Sequence, residues 1–98
     1  MIGVSVRFDY DGGFDRSRLI EVADHARGMF EGMPGLRSKV FTVDEKNQRA
    51  MNFYLWESRE AAEAFFTDEL REGITALYGV APTIDFLEIA TIVDNSAA

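Results

Sequence analysis

The sequence predicts an α+β fold in the order strand, helix, strand, strand, helix, strand, and three observations carry that prediction. Residues 2–10 alternate apolar and polar side chains, two later stretches repeat apolar residues every three or four positions, and a polar turn at 44–49 separates two further apolar runs. Period two is the signature of a strand with one buried face, and a period near 3.6 that of a helix with one buried stripe. At 98 residues the chain supports one core, so a single domain over 1–98 is expected.

The elements follow in order. In the first strand Ile2, Val4, Val6, Phe8 and Tyr10 share one face; Gly3, Ser5, Arg7 and Asp9 take the other, where Arg7 and Asp9 are set for an ion pair. After the turn Asp11-Gly12-Gly13, Asp15 caps a helix whose stripe is Leu19, Val22, Ala23, Ala26, Met29, Phe30 and Met33, ended by Pro34 and Gly35. Strands at 36–43 and 51–56 form a hairpin. Ser58 caps a second helix that runs to Tyr78-Gly79 and buries Ala62, Phe65, Phe66, Leu70, Gly73, Ile74 and Leu77. The β-branched and aromatic run 83–93 predicts a fourth strand, with a frayed tail at 95–98. Methionines 29, 33 and 51 read as fillers of the core.

This βαββαβ order is the ferredoxin-like arrangement, an antiparallel sheet with both helices on one face. The third strand places Met51, Phe53 and Leu55 on one side and Asn52, Tyr54 and Trp56 on the other, so neither side suits water. A second copy packed sheet against sheet covers the exposed side, and a homodimer is expected.

Seventeen acidic against ten basic side chains leave a net charge of −7, which excludes wrapping of nucleic acid and adhesion to an anionic membrane. Without cysteine and with one histidine, the chain has no disulfide, thiolate or multi-histidine metal chemistry, and it carries no Gly-x-Gly-x-x-Gly turn; no metal and no cofactor are expected. A basic leader and a long apolar run are both lacking, so the expected location is cytoplasmic. Eight phenylalanines exceed the needs of a small core and point to aromatic-lined space or an aromatic interface.

Four residues apart on one strand, Asn52 and Trp56 share a face about 13 Å apart with Tyr54 between them. An amide on so apolar a strand is costly unless bonded, either to a developing oxyanion of a ligand or to a neighbouring protein group. Trp56 either donates its indole N–H and stacks on a planar ligand or plugs the strand-to-helix corner. His25, on the first helix, is a candidate general base or a solvated boundary residue. Asp85 and Glu88 are charges at an edge or interface, with the barrel interior an alternative for Asp85.

The run Asn52-Phe53-Tyr54-Leu55-Trp56-Glu57-Ser58-Arg59-Glu60-Ala61, one hairpin after Pro34-Gly35-Leu36, resembles the antibiotic-biosynthesis monooxygenase family of dimeric α/β-barrel proteins. The whole chain looks most like the small bacterial members of that superfamily, down to the hairpin turn Glu45-Lys46-Asn47. The resemblance implies a homodimeric α/β barrel with an apolar pocket between helices and sheet. It also implies oxidation of an aromatic compound by dioxygen without metal or flavin, assisted by an Asn-x-x-x-Trp pair that Asn52 and Trp56 match. Two polar positions of the quinone-forming members depart: their tyrosine falls on Ala62 and their arginine near Thr75 or Ala76. The histidine and second tryptophan of haem-degrading members fall near Thr75 and on Phe65, so that route is not expected.

The expected function is therefore a cofactor-independent monooxygenase acting on a small electron-rich aromatic or quinol-like compound. Asn52, Trp56 and His25 are the catalytic candidates, and Tyr54, Phe65, Phe8 and Phe41 the substrate-binding wall. An isomerase or cyclase using His25 as base, or a non-enzymatic binder of an apolar metabolite, remains open on the same scaffold.

Overall fold

A computed structural model describes residues 1–96; of the tail expected at 95–98, positions 97 and 98 lie outside the described residues. Strands β1 (Ile2–Asp9), β2 (Leu36–Asp44), β3 (Arg49–Trp56) and β4 (Thr83–Glu88) form one antiparallel sheet in the order β2-β3-β1-β4. Helices α1 (Arg16–Phe30), α2 (Arg59–Phe65) and α3 (Asp68–Tyr78) complete the chain. The alternation of β1 sends Ile2, Val4, Val6 and Phe8 into the core beneath the helices, opposite Trp56, Tyr54, Asn52 and Ala50 of β3. Leu19, Val22, Ala62 and Phe66 close that core from the helical side. Asp15 caps α1 through the Arg18 backbone N–H, as the sequence implies.

The structure departs from the sequence reading in four places. The single second helix is two, because Thr67 accepts a hydrogen bond from the Leu70 N–H and starts α3 afresh, with Asp68 and Glu69 in its first turn beside the positive helix end. The break lets the consecutive residues Phe65 and Phe66 both turn toward the core, which an unbroken helix would splay apart. The fourth strand stops at Glu88 rather than Val93. Among the described residues its one partner is β1, whose first paired residue, Ile2, lies opposite Glu88, so no strand of the described residues continues far enough for residues 89–93 to pair with.

Met29 and Met51 do not fill the core: Met29 is 62% exposed on α1, and Met51 is exposed on the outer sheet face. Gly73 is likewise exposed on α3, and Leu77 is 46% exposed although its inner edge reaches the space between helices and sheet. Finally, β2 carries an extra residue between Leu36 and Ser38. This bulge brings Leu36 to face Trp56 and yet turns Lys39, Phe41 and Val43 inward, opposite Tyr54, Asn52 and Ala50.

The outer face holds Val40, Met51, Phe53, Leu55 and Leu87, with no helix of the described residues above them. A Cβ on Gly3 would come within 2.8 Å of the Phe53 ring, so glycine is what lets that ring lie across β1. Asp9 accepts from both Arg7 (2.8 Å) and Arg49 (2.9 Å), and the Arg7 bond leads in holding its carboxyl below the usual range. Asp85 sits exposed beside Ser5, near enough to favour the Arg7 charge.

Candidate functional site

The space between the helices and the sheet centres on Asn52. Its side chain is 3% exposed, and its Nδ2 donates to the Tyr78 hydroxyl at 3.1 Å. Tyr78 is held from three sides. Its ring stacks on Phe8 with centroids 3.8 Å apart, its carbonyl accepts from the Tyr10 hydroxyl at 2.7 Å, and Gly79 in the left-handed region ends the helix beyond it. The Tyr78 oxygen already accepts from Asn52, so its own proton is free to be donated into the cavity that Asn52, Tyr54 and Tyr78 line.

That cavity measures about 60 Å³ and is walled by Val6 and Phe8 of β1, Val22, Ala26 and Phe30 of α1, Phe41 of β2, Phe65, and the inner side of α3. A cleft of about 280 Å³ between α1 and β2 adjoins it through Phe30, Lys39 and Phe41. On the other flank a pocket of about 80 Å³ shares Phe41, Asn52 and Tyr78. Small polar groups fit the interior; the body of a ring system has room only toward the cleft.

Lys39 stands where cleft and cavity meet. Its Nζ lies 3.4 Å from the Phe30 ring centroid, 4.1 Å from that of Phe41 and 4.3 Å from that of Tyr54. No carboxylate of the described residues pairs with it, and burial alone pushes its ammonium down from 10.5 to about 7. The ring faces attract the cation and so offset part of that burial. Burial moves the tyrosines the other way, raising Tyr54 and Tyr78, with the Asn52 bond holding Tyr78 back in part. Around neutral pH the tyrosines are therefore donors, and Lys39 exchanges a proton.

Of the residues expected from sequence, Asn52, Tyr54, Phe65, Phe8 and Phe41 come together on this cavity. Trp56 does not line it. It is 1% exposed behind Tyr54, packed on Phe65 and Phe66, and its Nε1 has no hydrogen-bond acceptor among the described residues. His25 is exposed on α1, away from the cavity wall, because it sits a turn from Val22 on the flank that the helix turns to water. Sequence reasoning missed Lys39 and Tyr78. Tyr78 had a signal, since it continues the stripe four residues after Ile74.

Among the described residues no three His, Cys, Asp or Glu side chains gather as a metal site, and no helix is long and apolar enough to cross a membrane. The fold is that of the ferredoxin-like α+β proteins, here with an aromatic cavity under the helices. The chain belongs to the family described as "Putative mono-oxygenase ydhR", whose model matches residues 4–85. Among solved structures it is similar to a monooxygenase from the gene ActVA-Orf6 of Streptomyces coelicolor in complex with nanaomycin D. The TM-score is 0.70 at 24% identity, over 96% of this chain and 92% of that one. SnoaB, a cofactor-independent oxygenase from Streptomyces nogalater, superposes with TM-score 0.66 at 16% identity, over 94% and 95% of the two chains. A dimeric ferredoxin-like protein of unknown function from Thermobifida fusca gives 0.67 at 10% identity, over 90% of each. No curated protein sequence matches the chain significantly.

Proposed function

We propose that the protein is a cofactor-independent monooxygenase that converts a small electron-rich hydroxyaromatic compound to a quinone. The observation that carries this reading is the convergence of Asn52, Tyr78 and Lys39 on one otherwise apolar, aromatic-walled cavity. In the proposed reaction the phenol loses its hydroxyl proton and a ring hydrogen. One atom of dioxygen becomes the new quinone oxygen and the other leaves as water, so dioxygen is the only oxidant. The protein's part is to ionise and orient the substrate, and the Tyr78 hydroxyl, held by Asn52, stabilises the oxyanion. Family membership and the oxygenases among the structural neighbours support the reaction class.

Oxygen uptake with a panel of naphthols tests it. Asn52→Ala is expected to slow turnover about 10²-fold, about 2.7 kcal/mol, by releasing the Tyr78 hydroxyl. Turnover unchanged per folded molecule would assign Asn52 a structural role only, worth roughly 1 to 3 kcal/mol of stability. Lys39 also favours a second reading, an isomerase that moves a proton without oxygen; substrate-dependent deuterium exchange from solvent with no oxygen consumed would establish it. Flavin or haem in stoichiometric amount in the purified, otherwise colourless protein would overturn the cofactor-independent reading.

A homodimer belongs to the same proposal. Val40, Met51 and Leu87 are exposed on the outer sheet face, and Ile92 and Val93 extend apolar surface beyond the last paired residue, with Val93 82% exposed. Sedimentation at micromolar concentration is expected to return twice the chain mass, and Phe53→Asp to shift it toward the monomer. A stable wild-type monomer would refute the dimer.

A further inference from the structure

Alternation with a bulge puts a lysine, rather than an apolar residue, on the inner face of β2 at the mouth of the cavity. Three aromatic rings surround its amine, and none of the described residues gives it a hydrogen bond or an ion pair. The titratable and charged groups around it are Tyr54 from β3, Tyr78 from α3, Arg27 and Glu31 from α1, and Arg37 from its own strand. Arg27 and Glu31 pair with each other at 3.2 Å, and the tyrosines stay protonated near neutrality. An amine with ring faces around it but no hydrogen-bond or ion-pair partner among the described residues, facing a cavity, is left to interact with what enters.

We propose that Lys39 is the base that ionises the substrate: it takes the proton of an aromatic hydroxyl and holds the resulting oxyanion as an ion pair at the cavity mouth. The site thereby selects weakly acidic hydroxyaromatic compounds over their O-methyl ethers. The proposal rests on the hydroxyaromatic reading above and names the residue and the group it recognises. In the step, the substrate O–H bond breaks, an N–H bond forms on Nζ, and the electron pair stays on oxygen. A neutral phenol meets a neutral amine, so neither partner carries a charge into the apolar space, and the charges appear as a pair already in contact.

The test is the ionisation of 4-nitrophenol, whose phenolate absorbs in the visible, read anaerobically with wild type, Lys39→Met, Lys39→Gln and Lys39→Arg. Thermal melting checks that each variant is folded. In wild type the bound phenol is expected to ionise about one pH unit below the free one, a tenfold preference for phenolate, and 4-nitroanisole to bind at least tenfold more weakly. Lys39→Met and Lys39→Gln should abolish the shift, while Lys39→Arg should still bind phenolate yet lose binding below the free phenol's own ionisation. No binding at millimolar nitrophenol, no shift in wild type, or an equal shift in a folded Lys39→Met protein would each overturn the proposal. Because oxygen plays no part in this measurement, a shift without oxygen uptake removes the monooxygenase and leaves Lys39 as the base. Oxygen uptake that survives Lys39→Met does the reverse.

Discussion

Lys39→Met is expected to stabilise the protein at pH 6 and to remove most of the rise in stability that wild type shows from pH 7 to pH 9. The ammonium of Lys39 is pushed down to about 7 in the folded chain and returns to its ordinary 10.5 on unfolding. Between those values the unfolded chain binds one more proton than the native one, so stability increases with pH, by at most about 1.4 kcal/mol per unit. Below pH 7 both states are protonated, and the full cost of burying the ammonium falls on the native state. The three rings around Nζ soften this cost, so the observed slope should fall short of the limit.

Other shifted groups act outside that window. Asp9 and Asp44 are held low by hydrogen bonds from Arg7 and Asn47, so their stabilisation is present above the usual carboxylate range and is lost only in acid. Tyr10, Tyr54 and Tyr78 are raised by burial, so theirs is present below about pH 10 and is lost above it. Urea denaturation of both proteins at pH 6, 7.5 and 9 is the measurement. Parallel curves for wild type and Lys39→Met would mean that the amine is solvated in the folded state.

The same residue shows where reading the chain succeeds and where it stops. Strict alternation in β1 and β3 sorts the residues into faces, and the groupings of Val4 with Val6 and of Asn52 with Tyr54 and Trp56 are those of the structure. Which face of β3 is inner is not legible from alternation, because both are apolar, and Met51, read as core, lies on the outer one. In β2 the alternation is broken, since apolar residues occupy 36, 40, 41 and 43 and fit neither parity. The extra residue between Leu36 and Ser38 resolves the conflict by changing faces midway, and a bulge leaves no mark that a single sequence discloses. Lys39 therefore counts as an ordinary surface lysine until the register is known. The split of the second helix was marked, by Thr67-Asp68-Glu69, but a continuous stripe through Phe65, Phe66 and Leu70 masks the signal. The length of β4 depends on where β1 begins, a property of the partner strand and not of residues 89–93 themselves.

Trp56 separates the shared-face argument from the site, and its substitution is expected to be the most damaging to stability. Asn52, Tyr54 and Trp56 do share one face, yet the cavity reaches only the first two; beyond Tyr54 the space is filled by Trp56 itself. Its ring lies 5.2 Å from Phe65, 6.0 Å from Tyr54 and 6.2 Å from Phe66. Gly35, at φ 82, brings the loop after α1 against Ala61 and the edge of the indole. Trp56→Ala would empty this corner and cost about 3 to 5 kcal/mol, a large share of what a domain of this size has.

Trp56→Phe distinguishes packing from chemistry. It keeps a ring in the corner and deletes an N–H that finds no acceptor among the described residues, so relief of the unpaired donor offsets part of the lost volume. The expected loss is under about 1.5 kcal/mol, with oxygen uptake per folded molecule unchanged. If the indole N–H instead donated to substrate, the same variant would melt like wild type and lose at least tenfold in rate. Melting temperature and oxygen uptake measured together on Trp56→Phe decide whether the Asn-x-x-x-Trp spacing marks a catalytic pair or a catalytic amide beside a structural ring.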